Sequence, residues 1–338
     1  MRVKLVFITL LIVLAVSACG QSATTPLPPT AVPTDTPVPT ATIIPTPSTP
    51  LALLVIPADM DKASSDLYQK TVYDLAQQSG IRFQVRNVLT PQDVADSTLK
   101  VVIAFPPDPG IVALAATAPN VQFLTVGIPN INPGGNVSVL ALDSQVEIPA
   151  FLAGYVAAMI TDEYHIGMLF PRGDPQGELA FRAFSNGMMY YCGACRTFYV
   201  STIGYPTYLD IPADEDPAKY GGYANILIND RKVDTLYIYP TLANDDFLSF
   251  VGTTGALLIG TRRPEPRPGG WVMTIQPDTV KAIQQEWPSL IAGQGGQTVQ
   301  SPLGLADIDP SLLTPGKQRL AQETLDALLA GRIRPVGP

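Results

Sequence analysis

The chain has 338 residues, 46% of them hydrophobic and 15% charged, with a formal net charge of -8. Such a composition excludes a disordered chain, and the acidic balance excludes nucleic-acid binding, which needs clustered Lys and Arg. Its length allows two lobes of ordinary size, and no apolar run after Val16 approaches a membrane span.

The basic start Met1-Arg2-Val3-Lys4 precedes an apolar run from Leu5 to Val16. These are the n- and h-regions of a secretory signal. Val16-Ser17-Ala18-Cys19 resembles a bacterial lipobox, which implies cleavage after residue 18 and lipid on the Cys19 thiol, with membrane attachment at the extracytoplasmic face. From Gln21 to Pro50 the chain is almost all Pro, Thr, Ser, Ala and Val. Proline donates no ladder hydrogen bond and holds its predecessor extended, so residues 19–50 read as a semi-rigid tether rising about 3 Å per residue.

The remainder alternates apolar strands with amphipathic helices. Strands are expected at Leu51–Ile56, Arg82–Asn87, Val101–Phe105, Gln122–Val126 and Val137–Leu142, with helices over Ser65–Ser79 and Ile111–Ala118. Ser144-Gln145-Val146-Glu147 fits a capping box for a helix through Ile160. A second set has strands at Ile166–Phe170, Phe198–Ile203, Thr235–Tyr239 and Ala256–Ile259, and helices over Glu178–Met189 and Ala218–Asn229. Trp271–Ile275 reads as a strand returning to the first lobe, and Gly316–Ala330 as a terminal helix. The expected fold is α/β, with two doubly wound Rossmann-like lobes and a cleft between them. The lobes are drawn at 51–160 with a return segment of about 271–310, and at 161–270 with the terminal helix of about 311–338.

Cys192 and Cys195, in a C-x-x-C, are the cysteines left beside Cys19. An isolated pair outside the cytoplasm favours a structural disulfide over a redox motif. The single histidine, His165, adds too little for a zinc site, so no metal is expected. No G-x-S-x-G, P-loop or H-E-x-x-H is present, and Asp245 and Asp246 read as helix-start acids, so no enzyme and no cofactor are expected.

Phe151-Leu152-Ala153-Gly154-Tyr155-Val156-Ala157-Ala158, then His165-Ile166-Gly167 and Phe184-Ser185-Asn186-Gly187, resemble the basic membrane protein (BMP) family. Ala118-Pro119-Asn120-Val121-Gln122-Phe123, Val233-Asp234-Thr235 and Leu329-Ala330-Gly331-Arg332-Ile333 follow in the family's order. The resemblance implies a substrate-binding lipoprotein of an ABC importer, with the type I periplasmic binding fold, a small polar ligand that is nucleoside-like in several members, a membrane permease as partner, and a monomeric state. This chain departs from the pattern in the ligand region: Thr261-Arg262-Arg263 follows Ile259-Gly260 where the family has an aspartate, Gln276 replaces a lysine, and Gly127 stands where an aspartate often closes the fourth strand. A second reading therefore stays open, a membrane-tethered sensor or scaffold that has lost the nucleoside pocket.

Ligands of open α/β sheets bind beyond the carboxyl ends of the strands. The expected ligand residues are Asp59, Asp61, Tyr68, Phe105, Gly127, Phe170, Arg172, Thr241 and Arg262. Tyr68, Phe105 or Phe170 would stack on a flat ring, Asp59 or Asp61 would accept from hydroxyls, and Arg172 and Arg262 would hold an anion.

Overall fold

A computed structural model describes residues 48–142, 145–161, 163–193 and 203–337. The expected signal, Cys19 and nearly all of the expected tether lie outside the described residues, as do Ser144, Cys195 and the expected strand at 198–203 apart from its last residue.

The first series comprises β1 (Leu51–Val55), α1 (Lys62–Gln78), β2 (Arg82–Arg86), α2 (Pro91–Val94), β3 (Leu99–Ala104), α3 (Ile111–Thr117), β4 (Gln122–Val126) and β5 (Val137–Ala141). After α4 (Glu147–Ile160) the second comprises β6 (Ile166–Pro171), α5 (Pro175–Cys192), β7 (Thr207–Ile211), α6 (Tyr220–Asn225), β8 (Thr235–Ile238), α7 (Asp245–Gly252), β9 (Leu257–Gly260) and β10 (Trp271–Pro277). The chain closes with α8 (Thr279–Ile291), β11 (Thr298–Gln300), β12 (Leu303–Ala306) and α9 (Pro315–Leu329).

Among the described residues two six-stranded sheets result, ordered β11-β5-β4-β3-β1-β2 and β12-β10-β9-β8-β6-β7. Without their last-joined edge strands, both run in the doubly wound order 2-1-3-4-5. All pairings between strands are parallel except β10 with β12. The expected two-lobed α/β class is therefore the observed one. Every residue of β1, β4 and β8 is buried, because helices cover both faces of a parallel sheet.

Lobe membership differs from the expected boundaries. Trp271–Pro277 does not return to the first lobe but sits inside the second sheet, between β9 and β12. Its Trp271 ring occupies the space that a side chain at Gly260 would need, so the register with β9 depends on that glycine. The return segment is α8 and β11: Ala282, Ile283, Trp287 and Leu290 join the first core, and Trp287 Nε1 donates to Ser79 Oγ at 2.9 Å. α4 likewise belongs to the second lobe, in one core with β6, α5 and α9. Thr161 just after it donates to Asp234 before β8 at 2.8 Å, which fixes the crossing chain to the base of that lobe.

Local differences also have causes. α1 starts at Lys62, three residues early, because Asp61 accepts from Ser64 N. α5 starts at Pro175 because Asp174 caps it and proline suits the first turn. The helix expected over 218–229 is a 3-10 turn, α6 and a π turn in succession. At α4 the cap is Val146, with no side-chain bond. Cys192 ends α5 and is disulfide-bonded; its expected pairing with Cys195 falls outside the described residues.

Candidate functional site

The carboxyl ends of the first lobe's strands surround a cavity of about 290 Å³. β1 leads into Met60 and Asp61, β3 into Phe105 and Pro106, and β4 into Gly127, while α1 supplies Ser64 and Tyr68 and α8 supplies Thr279. Phe105 is buried and its ring lies against Tyr68, with centroids 4.5 Å apart and planes tilted by 33°. Gly127 has φ +66°, a conformation that glycine adopts without a Cβ penalty, and this turns β4 away beneath the cavity.

A second cavity of about 220 Å³ lies on the other side of Tyr68. Leu67 and Tyr68 of the first lobe face Gln276, Pro277, Gly304, Leu305 and Ala306 of the second, with Asp278, Thr279 and Val280 at the crossing. This space therefore lies between the lobes, at the point where β10 hands the chain to α8. Gly304 lets β12 pass close to Asp278, since a Cβ there would come within 3.0 Å of Asp278 Cβ. The two cavities share Tyr68 and Thr279. Burial pushes the Tyr68 phenol up; the Thr279 side chain acts against this, and Asp61 and Asp278 add to it.

Four of the expected ligand residues, Asp61, Tyr68, Phe105 and Gly127, thus line one cavity. Asp61 also caps α1, and the bond from Ser64 N holds its carboxyl below the usual range. The other five are elsewhere. Asp59 is exposed in the turn after β1, and Thr241 is exposed in the 3-10 turn Pro240–Leu242; neither lines the two cavities. Phe170 is not a ligand platform: its ring is buried in the second core, near Tyr208 at 5.3 Å and Phe181 at 6.1 Å, over the space left by Gly177.

The arginines are not open anion clamps, because each already holds a carboxylate. Arg172 pairs with Asp210 at 3.0 Å, and Arg262 with Asp245 at 2.8 Å while donating to Ala243 O at 3.1 Å. Arg263 pairs with Asp307 at 3.1 Å; Asp307 also accepts from Thr274, which accepts from Trp271 Nε1. At the end of β8, Tyr239 is buried; burial, then the nearby Asp174 carboxylate, pushes its phenol up to about 12.

Met60, Ser64, Leu142, Asp278 and Thr279 are lining residues that the sequence reading missed. Asp278 ahead of the amphipathic run Thr279–Ile291 is a legible N-cap signal, and it accepts from Lys281 N at 2.9 Å. Among the described residues, no group of His, Cys, Asp and Glu could hold a metal ion, and no helix is long and apolar enough to cross a membrane.

No family model matches the chain, and no curated protein matches it. Among solved structures it is similar to an ABC transporter system solute-binding protein from Conexibacter woesei DSM 14684, with a TM-score of 0.53, 16% identity, and 85% of this chain and 98% of that one covered. It is also similar to a transcriptional activator of the comK gene from Bacillus halodurans, with a TM-score of 0.50, 12% identity, and 85% and 99% covered. At such identities the likeness establishes a shared two-lobed α/β fold.

Proposed function

We propose that the chain is an extracytoplasmic solute-binding lipoprotein of an ABC importer, tethered by lipid on Cys19 and taking a small ligand into the cleft between its lobes. It acts as a monomer with a membrane permease as partner, uses no cofactor and performs no catalytic step. The observation that carries this reading is the convergence of Asp61, Tyr68, Phe105 and Gly127 on one cavity that adjoins the interlobe space. Tyr68 is the hinge-side element: its ring lines both cavities, so a ligand against it touches the first lobe and the crossing segment together. Closure of the lobes around that ligand is the working motion. The order of signal, lipobox and Pro/Thr tether, and the fold shared with a solute-binding protein, support the same reading.

A thermal-shift screen of the full-length chain with nucleosides, bases, sugars, amines and carboxylates tests it. A ligand that binds only the native state at a hundred times its Kd stabilises by about 2.7 kcal/mol, a rise of several degrees. That rise should be lost in Tyr68→Ala. A response confined to classes other than nucleosides removes the nucleoside assignment suggested by the BMP resemblance. No response from any class would sink solute binding and favour a tethered sensor or scaffold, a reading to which the likeness to a transcriptional activator lends some support.

A further inference from the structure

The first-lobe cavity divides its polar and apolar groups between helices and strand ends, and this bears on which solute the proposed receptor takes. Its hydrogen-bonding side chains, Asp61, Ser64, Tyr68 and Thr279, belong to α1, its cap or the start of α8. The ends of β3, β4 and β5 contribute only Phe105, Pro106, Val126, Gly127 and Leu142, so the sheet offers no hydrogen-bonding side chain. Gly127 and Leu142 fix that wall as apolar. At 127, φ is +66° and a Cβ would lie 3.1 Å from Leu142 Cδ1, so a polar side chain there would be both strained and crowded. A Leu142 methyl group fills the place instead. Yet Leu142 is 37% exposed, and Leu67 on the adjoining interlobe space is 51% exposed. Apolar surface left open to water and gathered at a cavity, rather than scattered, marks a ligand-binding groove. Asp61, the one ionised residue among those lining this cavity, is itself exposed, so water screens its charge.

Resting on the solute-binding reading, we infer that the ligand is a neutral ring compound, one ring or two fused rings, apolar along the edge that meets the strand ends. An apolar cavity of about 150 Å³ takes a benzene ring, so one of about 290 Å³ has room for a second ring. The ring system lies against Phe105 and Leu142 and removes their exposed surface from water. Any single polar group it carries faces the hydroxyls of Ser64, Tyr68 and Thr279. A purine base or a sugar would lose water on the strand-end side with no side chain to replace it. Leu142 is the residue that sets this preference.

Isothermal titration of the full-length chain with indole, adenine, adenosine, tryptamine and indole-3-acetate separates polarity and charge from shape, since indole and adenine are similar in size. Indole is expected to bind at least about tenfold more tightly than adenine, whose ring nitrogens would be left unpaired. Titrations at several temperatures should give a negative heat-capacity change for indole, the marker of apolar burial. Leu142→Asn should weaken indole about tenfold and narrow its advantage over adenine, with Tm unchanged because the side chain is exposed. Adenine or adenosine binding as tightly as indole, tighter binding of either charged indole, a heat-capacity change near zero, or indole affinity unchanged in Leu142→Asn would overturn the inference while leaving solute binding intact. So would silence from indole alongside a response to sugars or nucleosides in the thermal-shift screen. Silence from every compound in both experiments would remove the solute-binding reading along with it.

Discussion

Tyr68 on α1 of the first lobe is half-buried and Tyr239 just after β8 of the second is buried, and each has a carboxylate nearby that opposes its ionisation. For Tyr239 the effect is large enough to measure. Its folded-state value of about 12 lies above the ordinary tyrosine value of about 10, so the native fold favours the neutral phenol. Its contribution to stability is fully present below pH of about 10 and is lost as pH rises towards the folded value. Denaturant unfolding across that window should therefore show a declining stability in the native chain and a shallower decline in Tyr239→Phe. Equal slopes would mean that other groups carry the alkaline loss. Phe105 and Phe170 make a related point about legibility. Both are strand-end aromatics, yet one walls the cavity and the other fills a core. Strands covered on both faces show no alternation, so the sequence does not encode which face a given ring takes.

At the scale of elements, α4 and α5 meet backbone to backbone. A Cβ on Gly154 would lie 2.0 Å from Phe184 O, and one on Gly187 would lie 1.9 Å from Phe151 O. These two glycines belong to the stretches that carry the family resemblance, so the resemblance records a helix crossing as much as a ligand site. Alanine would improve intrinsic helix propensity by about 1 kcal/mol. Overpacking costs typically 1–3 kcal/mol, and backbone atoms cannot yield as a flexible side chain can. Taken at the upper end of that range, Gly154→Ala and Gly187→Ala should each lower stability by a net of up to about 2 kcal/mol. Urea midpoints test this; a midpoint at or above the native value would show that the helices can separate at little cost. The strands with continuous apolar runs were legible because burial on both faces demands them. β7, whose sequence is TYLDI, was not: it is an edge strand with Tyr208 exposed, so its composition resembles a loop's. β11 has three residues, too few for any period to show.

For the whole molecule, Ser48–Pro338 forms one compact unit. Residues just before β1 already serve it: Arg82 N donates to Pro50 O at 2.8 Å, and Arg82 Nε to Thr49 O at 3.1 Å. A polypeptide of residues 48–338 should thus melt at the same temperature as the full-length chain and bind the same ligands. One starting at Leu51 should melt lower, because it lacks both acceptors. If the 48–338 polypeptide failed to fold, the preceding residues would have a structural role.

The sequence alone determined the class and the repeat. Two series of apolar strands and amphipathic helices are local patterns, set by composition and spacing that neighbouring residues carry themselves. What only the tertiary structure decided is where segments distant in the chain meet. β10 joins the second sheet while α8 and β11 go back to the first, because strand pairing and helix burial are settled by partners far away in sequence. The same physics decided the site. Thr279 lines both cavities with Tyr68 across 211 positions of the numbering, and the arginines are paired with carboxylates from other elements, Arg172 with Asp210 of β7 and Arg262 with Asp245 of α7.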